Sequence, residues 1–189
     1  MATNLPPKLE AVLIRLCRGR SLNVTQAVKL PYLVDVVAMN LLGRKITEGT
    51  HLRWDHGVVT SEVWHHLDKC IPLSHFRLEP VPCSEERKVV VIDDRDFSET
   101  LTPDEEEIVD FVGDEYASVK AVRLGEMTKL MNPTATGWGT NQPADLDAEA
   151  YERMDPGYQR MAERLITIRT LEQLRRLSVP VRDLKDLIA

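Results

Sequence analysis

His65, His66, Cys70, His75 and Cys83 crowd into one short stretch, and imidazoles and thiols are the raw material of a zinc site. Recognisable tetrahedral sites draw on close pairs such as C-x-x-C or H-x-x-x-H, and no pair here has that spacing. These residues are expected instead to be a partly buried histidine and cysteines acting as small apolar fillers. Cys17 lies among apolar residues and is expected to pack rather than to attack a substrate. The chain has no G-x-S-x-G, no phosphate-cradling glycine loop and no H-E-x-x-H. Carboxylates cluster only in one acidic segment, without the apolar surroundings that split pKa values for acid/base work. No catalytic centre, metal or cofactor is therefore expected. Side chains suited to gripping another protein are better represented: Trp54, Trp64 and Trp138, and the arginines of the C-terminal region, Arg160, Arg164, Arg169, Arg175 and Arg176. Tryptophan and arginine are typical interface anchors.

Helices must position most of these. Leu9, Val12, Leu13 and Leu16 recur at helical spacing and predict a helix over 7–18. Asn23-Val-Thr-Gln26 reads as a capping box for a helix over 24–42. That segment is apolar nearly all round, with Lys29 and Asp35 as its only charges, as expected of a central helix buried on several sides. Pro31 removes one backbone bond inside it and predicts a kink or a later start. Gly43 is placed to close it as a left-handed cap.

Residues 46–60 read as a turn, a short extended piece around Leu52 to Trp54, and a second turn. Thr60 caps a helix to about Cys70, with Val63, Trp64 and Leu67 on one face; this places Trp64 in the core. Residues 75–79 and 88–92 predict a β-hairpin. Thr102-Pro103-Asp104-Glu105 opens another helix, with Ile108, Phe111, Val112 and Tyr116 as its buried stripe. A helix over 118–131 follows, stopped at Asn132-Pro133. Residues 132–147 read as a loop, and Asp155-Pro156 starts a long helix to about Leu177. Its two apolar faces would meet the domain on one side and the tail or a second copy of the chain on the other. The expected fold is mainly α with a small antiparallel β-hairpin, an α+β class dominated by helix, in which shorter helices surround the central one, with a domain over 1–140 and a loop and helical extension over 141–189.

The 189 residues carry a net charge of −6, with 43% apolar and 29% charged content, which is globular composition. The acidity is local. Residues 93–115 hold 11 acidic residues against Arg95 alone, while the flanking stretches are slightly basic. The strip is either the solvated start of a helix or a docking surface for a basic protein partner. Its sign argues against nucleic acid as a partner. The helix pair over 103–131 and the hairpin before it superficially suggest a winged DNA reader, yet they offer no cluster of base-reading Arg or Asn. The longest uncharged apolar stretch, Val36 to Leu42, is far short of the ~20 residues of a membrane span. Charges bracket the N-terminal apolar residues, so the reading is cytoplasmic, and three cysteines suit a reducing compartment.

Val28-Lys-Leu-Pro-Tyr-Leu-Val-Asp35, then Leu42-Gly-Arg-Lys-Ile-Thr-Glu-Gly49, Leu52-Arg-Trp-Asp-His-Gly-Val58 and Ser61-Glu-Val-Trp64 together resemble the Panacea, or SocA-like, antitoxin domain. That family shows K-L-L-Y-L-A-D, G-R-x-I-T-G and a Y/W-x-x-x-G-P-V segment leading into a helix. Leu101 to Glu107 and Met127 to Trp138 resemble its second half, so the likeness covers roughly 8–140. Pro31 stands where the family usually has Leu, and Val58 where it usually has Pro. The resemblance implies an antitoxin that binds a co-encoded protein toxin directly. One member is instead an adaptor delivering its toxin to a Clp-type protease, and a DNA-binding regulator of its own operon is a further alternative. Expected contact residues are Glu105, Glu106 and Glu107 of the acidic strip, Trp54 and His56, Trp138 in its loop, and Arg164 and Arg169 of the last helix.

Overall fold

Thirteen consecutive residues, Gln26 to Ala38, are buried, so the middle of the helix that carries them faces protein on every side. This helix, α2 (Val24–Leu42), is the axis of the fold. Its start and stop follow the local chemistry. Asn23 Oδ1 accepts the Gln26 amide while the Gln26 side chain accepts the Asn23 amide, and Gly43 closes the helix at φ 67°. Despite Pro31, α2 is helical from Val24 onward, so the start is not displaced. Burial of the whole segment outweighs the loss of one helical bond.

The computed structural model describes residues 5–68, 75–92, 100–130, 139, 141–144 and 146. Around α2 stand α1 (Pro7–Cys17), α3 (Ser61–Asp68), α4 (Pro103–Tyr116) and α5 (Ala121–Leu130). Leu9, Val12, Leu13 and Leu16 of α1 are buried, as their spacing requires, as are Ile108, Phe111, Val112 and Tyr116 of α4. The Thr102–Glu105 capping box that opens α4 is present in both directions. The expected helix over 155–177 lies outside the described residues.

The β content is larger than expected. A three-stranded antiparallel sheet has the order β1-β5-β4, from Leu22–Asn23, Arg87–Val91 and Phe76–Pro80; a separate antiparallel pair joins β2 (His51–Trp54) to β3 (Gly57–Thr60). The 76–91 hairpin is the one the β-branched run predicts. With 52% of the described residues helical and 18% in strands, the fold is mixed α and β with helix dominant, in line with the expected class, and the strands beyond the one expected hairpin are the correction. Two missed strands have identifiable reasons. β1 is two residues long, too short for any periodicity. All four residues of β3 are buried, so the alternation that marks a half-exposed strand is absent.

Candidate partner-binding site

Lys29 and Asp35, the two charges of α2, are 2% and 0% exposed. A charge enclosed in protein needs hydrogen-bond partners to offset its lost hydration, and each of these organises a piece of chain. Asp35 Oδ1 accepts the backbone amides of Ile46 and Thr47 at 2.8 Å each, and Oδ2 accepts the Thr47 hydroxyl. His51 Nε2 lies 2.8 Å from the same Oδ2, and His51 Nδ1 lies 3.2 Å from Thr60 Oγ1. With Asp35 ionised, Nε2 is the donor, and a neutral ring accepts the Thr60 hydroxyl. One carboxylate therefore fixes both the turn after α2 and the first cross-strand pair of the β2–β3 hairpin, His51 opposite Thr60.

The order Asp35, His51, Thr60 follows a hydrolytic triad, but all three residues are buried. A nucleophile must reach its substrate, so this arrangement acts as a structural lock. Cys17 is likewise enclosed. Burial pushes its thiol up to about 12, despite the nearby charge of Arg20, which leaves it protonated at neutral pH.

Lys29 holds the other end of the hairpin. Its Nζ donates to the carbonyls of His56, at 2.7 Å, and Val58, at 3.2 Å. The turn between the strands is Asp55–His56, followed by Gly57 at φ 97°, a left-handed position that suits glycine. α5 presses directly on this turn. Thr128 Oγ1 accepts the Val58 amide and donates to the Gly125 carbonyl. A Cβ on Gly57 would stand 2.5 Å from Gly125 O, and one on Gly125 would stand 2.5 Å from His56 O. Two glycines thus allow helix and hairpin backbones to touch.

Between α2, the turn and α5 opens a cleft of about 480 Å³. Lys29 lies against it, with Thr25, His56, Gly125 and Lys129 around it and Val122, 78% exposed, alongside. Burial pushes the Lys29 ammonium down to about 8, and Lys129 adds like-charge repulsion in the same direction.

The expected contact residues fall in different places. His56 is exposed beside the cleft. Trp54 is half-buried on β2 and packs edge-on against Trp64 at 4.8 Å; its indole nitrogen is buried without a hydrogen-bond partner among the described residues. Glu105 has no exposed surface. Its Oε1 takes Lys8 at 2.7 Å and Arg44 at 2.6 Å. Burial alone would raise its pKa, but the bonds from Lys8, the Thr102 amide and Arg44 outweigh that and hold it below the ordinary value. Glu106 and Glu107 are half-buried, and Glu106 pairs with Arg15 at 3.0 Å. Arg15 also grips Asp110 with two bonds, at 2.9 and 2.7 Å, and Arg20 pairs with Asp114. Much of the acidic face of α4 is thus answered inside the fold by cations of α1 and the turns beside it. Trp138, Arg164 and Arg169 lie outside the described residues.

Lys29, Asp55, Val122 and Lys129 escaped the sequence reading as site residues. The available signal was the isolation of Lys29 in an apolar helix. That α5 would face it is a tertiary fact.

Among the described residues no group of three or more His, Cys, Asp or Glu stands ready to hold a metal, and no helix is long and apolar enough to cross a membrane. A family model described as "Antitoxin SocA-like, Panacea domain" matches residues 28–133, a span that runs from the residue before Lys29 to just past α5. No curated protein matches the chain. No solved structure matches it either.

Proposed function

From the premise that this chain belongs to the SocA-like Panacea antitoxin family, we propose that it neutralises a co-encoded protein toxin by direct, stoichiometric binding. The observation that carries the reading is what the matched segment builds. Lys29 and Asp35, both within the family's central motif, are committed to holding a hairpin whose turn is exposed at a cleft beside α5. Such an arrangement presents a fixed surface at little ordering cost on binding, which favours tight association.

The toxin contacts the hairpin end, through exposed His56 and half-buried Trp54. Glu106 and Glu107 add to the contact from the acidic face of α4, and Trp138, Arg164 and Arg169 from the C-terminal region. Glu105 acts from within, by fixing α4 to Lys8 and Arg44. In this reading the protein acts in the cytoplasm and needs no cofactor.

Co-expression with the neighbouring reading frame tests the proposal. The frame alone should arrest growth. The pair should grow and should co-purify as a complex of fixed stoichiometry. Growth arrest that this protein fails to relieve would refute the reading. Rapid loss of the toxin in place of a stable complex would point to delivery to a Clp-type protease.

A further inference from the structure

Among the described residues Lys29 is a cation without a counter-ion. Its ammonium has three N–H donors and two are used, both on neutral carbonyls. Among the described residues no carboxylate stands within ion-pair distance of it, and Lys129 on the facing helix adds a second positive charge. Two acidic residues line the same cleft. Asp55 has its carboxylate against the backbone of Gly139, and Glu126 is paired with Arg123 at 3.2 Å. Enclosed ammonium groups ordinarily have an anionic partner. Here the cleft leads to the place where one would sit, and Val122 supplies an exposed apolar side chain beside it.

We propose that this cleft seats a side-chain carboxylate, Asp or Glu, which the protein toxin projects next to an apolar residue; the carboxylate meets Lys29 and Lys129 while the apolar residue covers Val122. This rests on the toxin reading above and names the chemistry of its contact. Charge complementarity to Lys29 selects the occupant: a basic loop would bring another cation to its ammonium, and a purely apolar one would leave that ammonium enclosed without an anion.

The test uses the full chain and its complex with the co-encoded toxin, and leaves Lys29 intact because it also holds the hairpin. Lys129→Glu and Val122→Asp, both on the open side of the cleft, should each weaken the complex about tenfold or more, and Lys129→Arg should stay close to the parent. By nitrogen-detected titration of the lysine ammonium groups, Lys29 should titrate about one pH unit or more higher in the complex than in the free chain. Carbodiimide coupling, which joins an amine to a carboxylate with no spacer, should link Lys129 to a toxin Asp or Glu. Parent-like affinity in both variants, with Lys29 titrating unchanged in an intact complex, would overturn the inference and leave the toxin reading standing. Failure to form any complex would overturn both. If inorganic phosphate or acetate moves Lys29 in the free chain and the toxin does not, the cleft belongs to a small anion and the inference falls.

Discussion

Asp35 and Lys29 show how one side chain can fix a distant piece of chain. Asp35 takes two amides, one hydroxyl and one imidazole, all buried. Asp35→Asn turns one acceptor into a donor facing donors, and should destabilise the domain by about 3–5 kcal/mol; a lower urea midpoint in equilibrium unfolding checks this. Lys29 gives a pH signature. Its folded value of about 8 lies below the ordinary 10.5. Below pH 8 both states are protonated, and the native state bears the cost of enclosing the cation. Between 8 and 10.5 the unfolded chain holds more protons, so stability should rise with pH, by up to about 3 kcal/mol. Cys17, raised to about 12, works in the opposite sense above about pH 9, the usual thiol range. The quantity to measure is therefore the difference in pH dependence between the parent and Lys29→Met. The rise should be absent in the variant, and equal slopes in the two proteins would contradict the assignment.

Among the elements, helix boundaries were the most legible feature. The boxes at Asn23–Gln26 and Thr102–Glu105, and Gly43 after α2, are local chemistry that needs no tertiary information, and all three are formed. β3 was illegible because its four residues are buried on both faces, so their pattern carries no period. The α5–hairpin contact was illegible because it depends on what two glycines, far apart in sequence, do not have. Gly125→Ala and Gly113→Ala separate these effects. Both place alanine in a helix, which by itself favours folding by about 1 kcal/mol. At Gly113 the new methyl meets the Arg20 guanidinium, the end of a flexible side chain, and stability should stay level or rise. At Gly125 it meets the His56 carbonyl, and the domain should lose about 2 kcal/mol as the hairpin is pushed away. Thermal unfolding of the two variants, compared under the same conditions, decides the matter.

In the molecule as a whole, residues 141–144 lie along the hairpin. Arg53 N donates to Gln142 O at 2.9 Å and Ala144 N to His51 O at 2.8 Å, while Ala144 and Leu146 pack on the core. Residues 142–144 thus cover the free edge of β2. A chain ending at 138 should be about 1–3 kcal/mol less stable than one ending at 146, from two lost backbone bonds and the packing of Ala144 and Leu146. It should also self-associate more readily through the bared edge. Denaturant unfolding and sedimentation of the two truncations measure both effects.

The sequence by itself determined the central helix, its caps, the 76–91 hairpin, the acidic strip and the family resemblance, because each is written in neighbouring residues or in a local periodicity. Only the tertiary structure decided that Glu105 turns inward while His56 faces outward, and that Lys29 meets a cleft with no carboxylate paired to it among the described residues. The physical reason is that a charge acquires its role from what stands within a few ångströms of it. For Glu105 those neighbours are Lys8 and Arg44, and for Lys29 they are the hairpin carbonyls and α5, all brought together from remote parts of the chain.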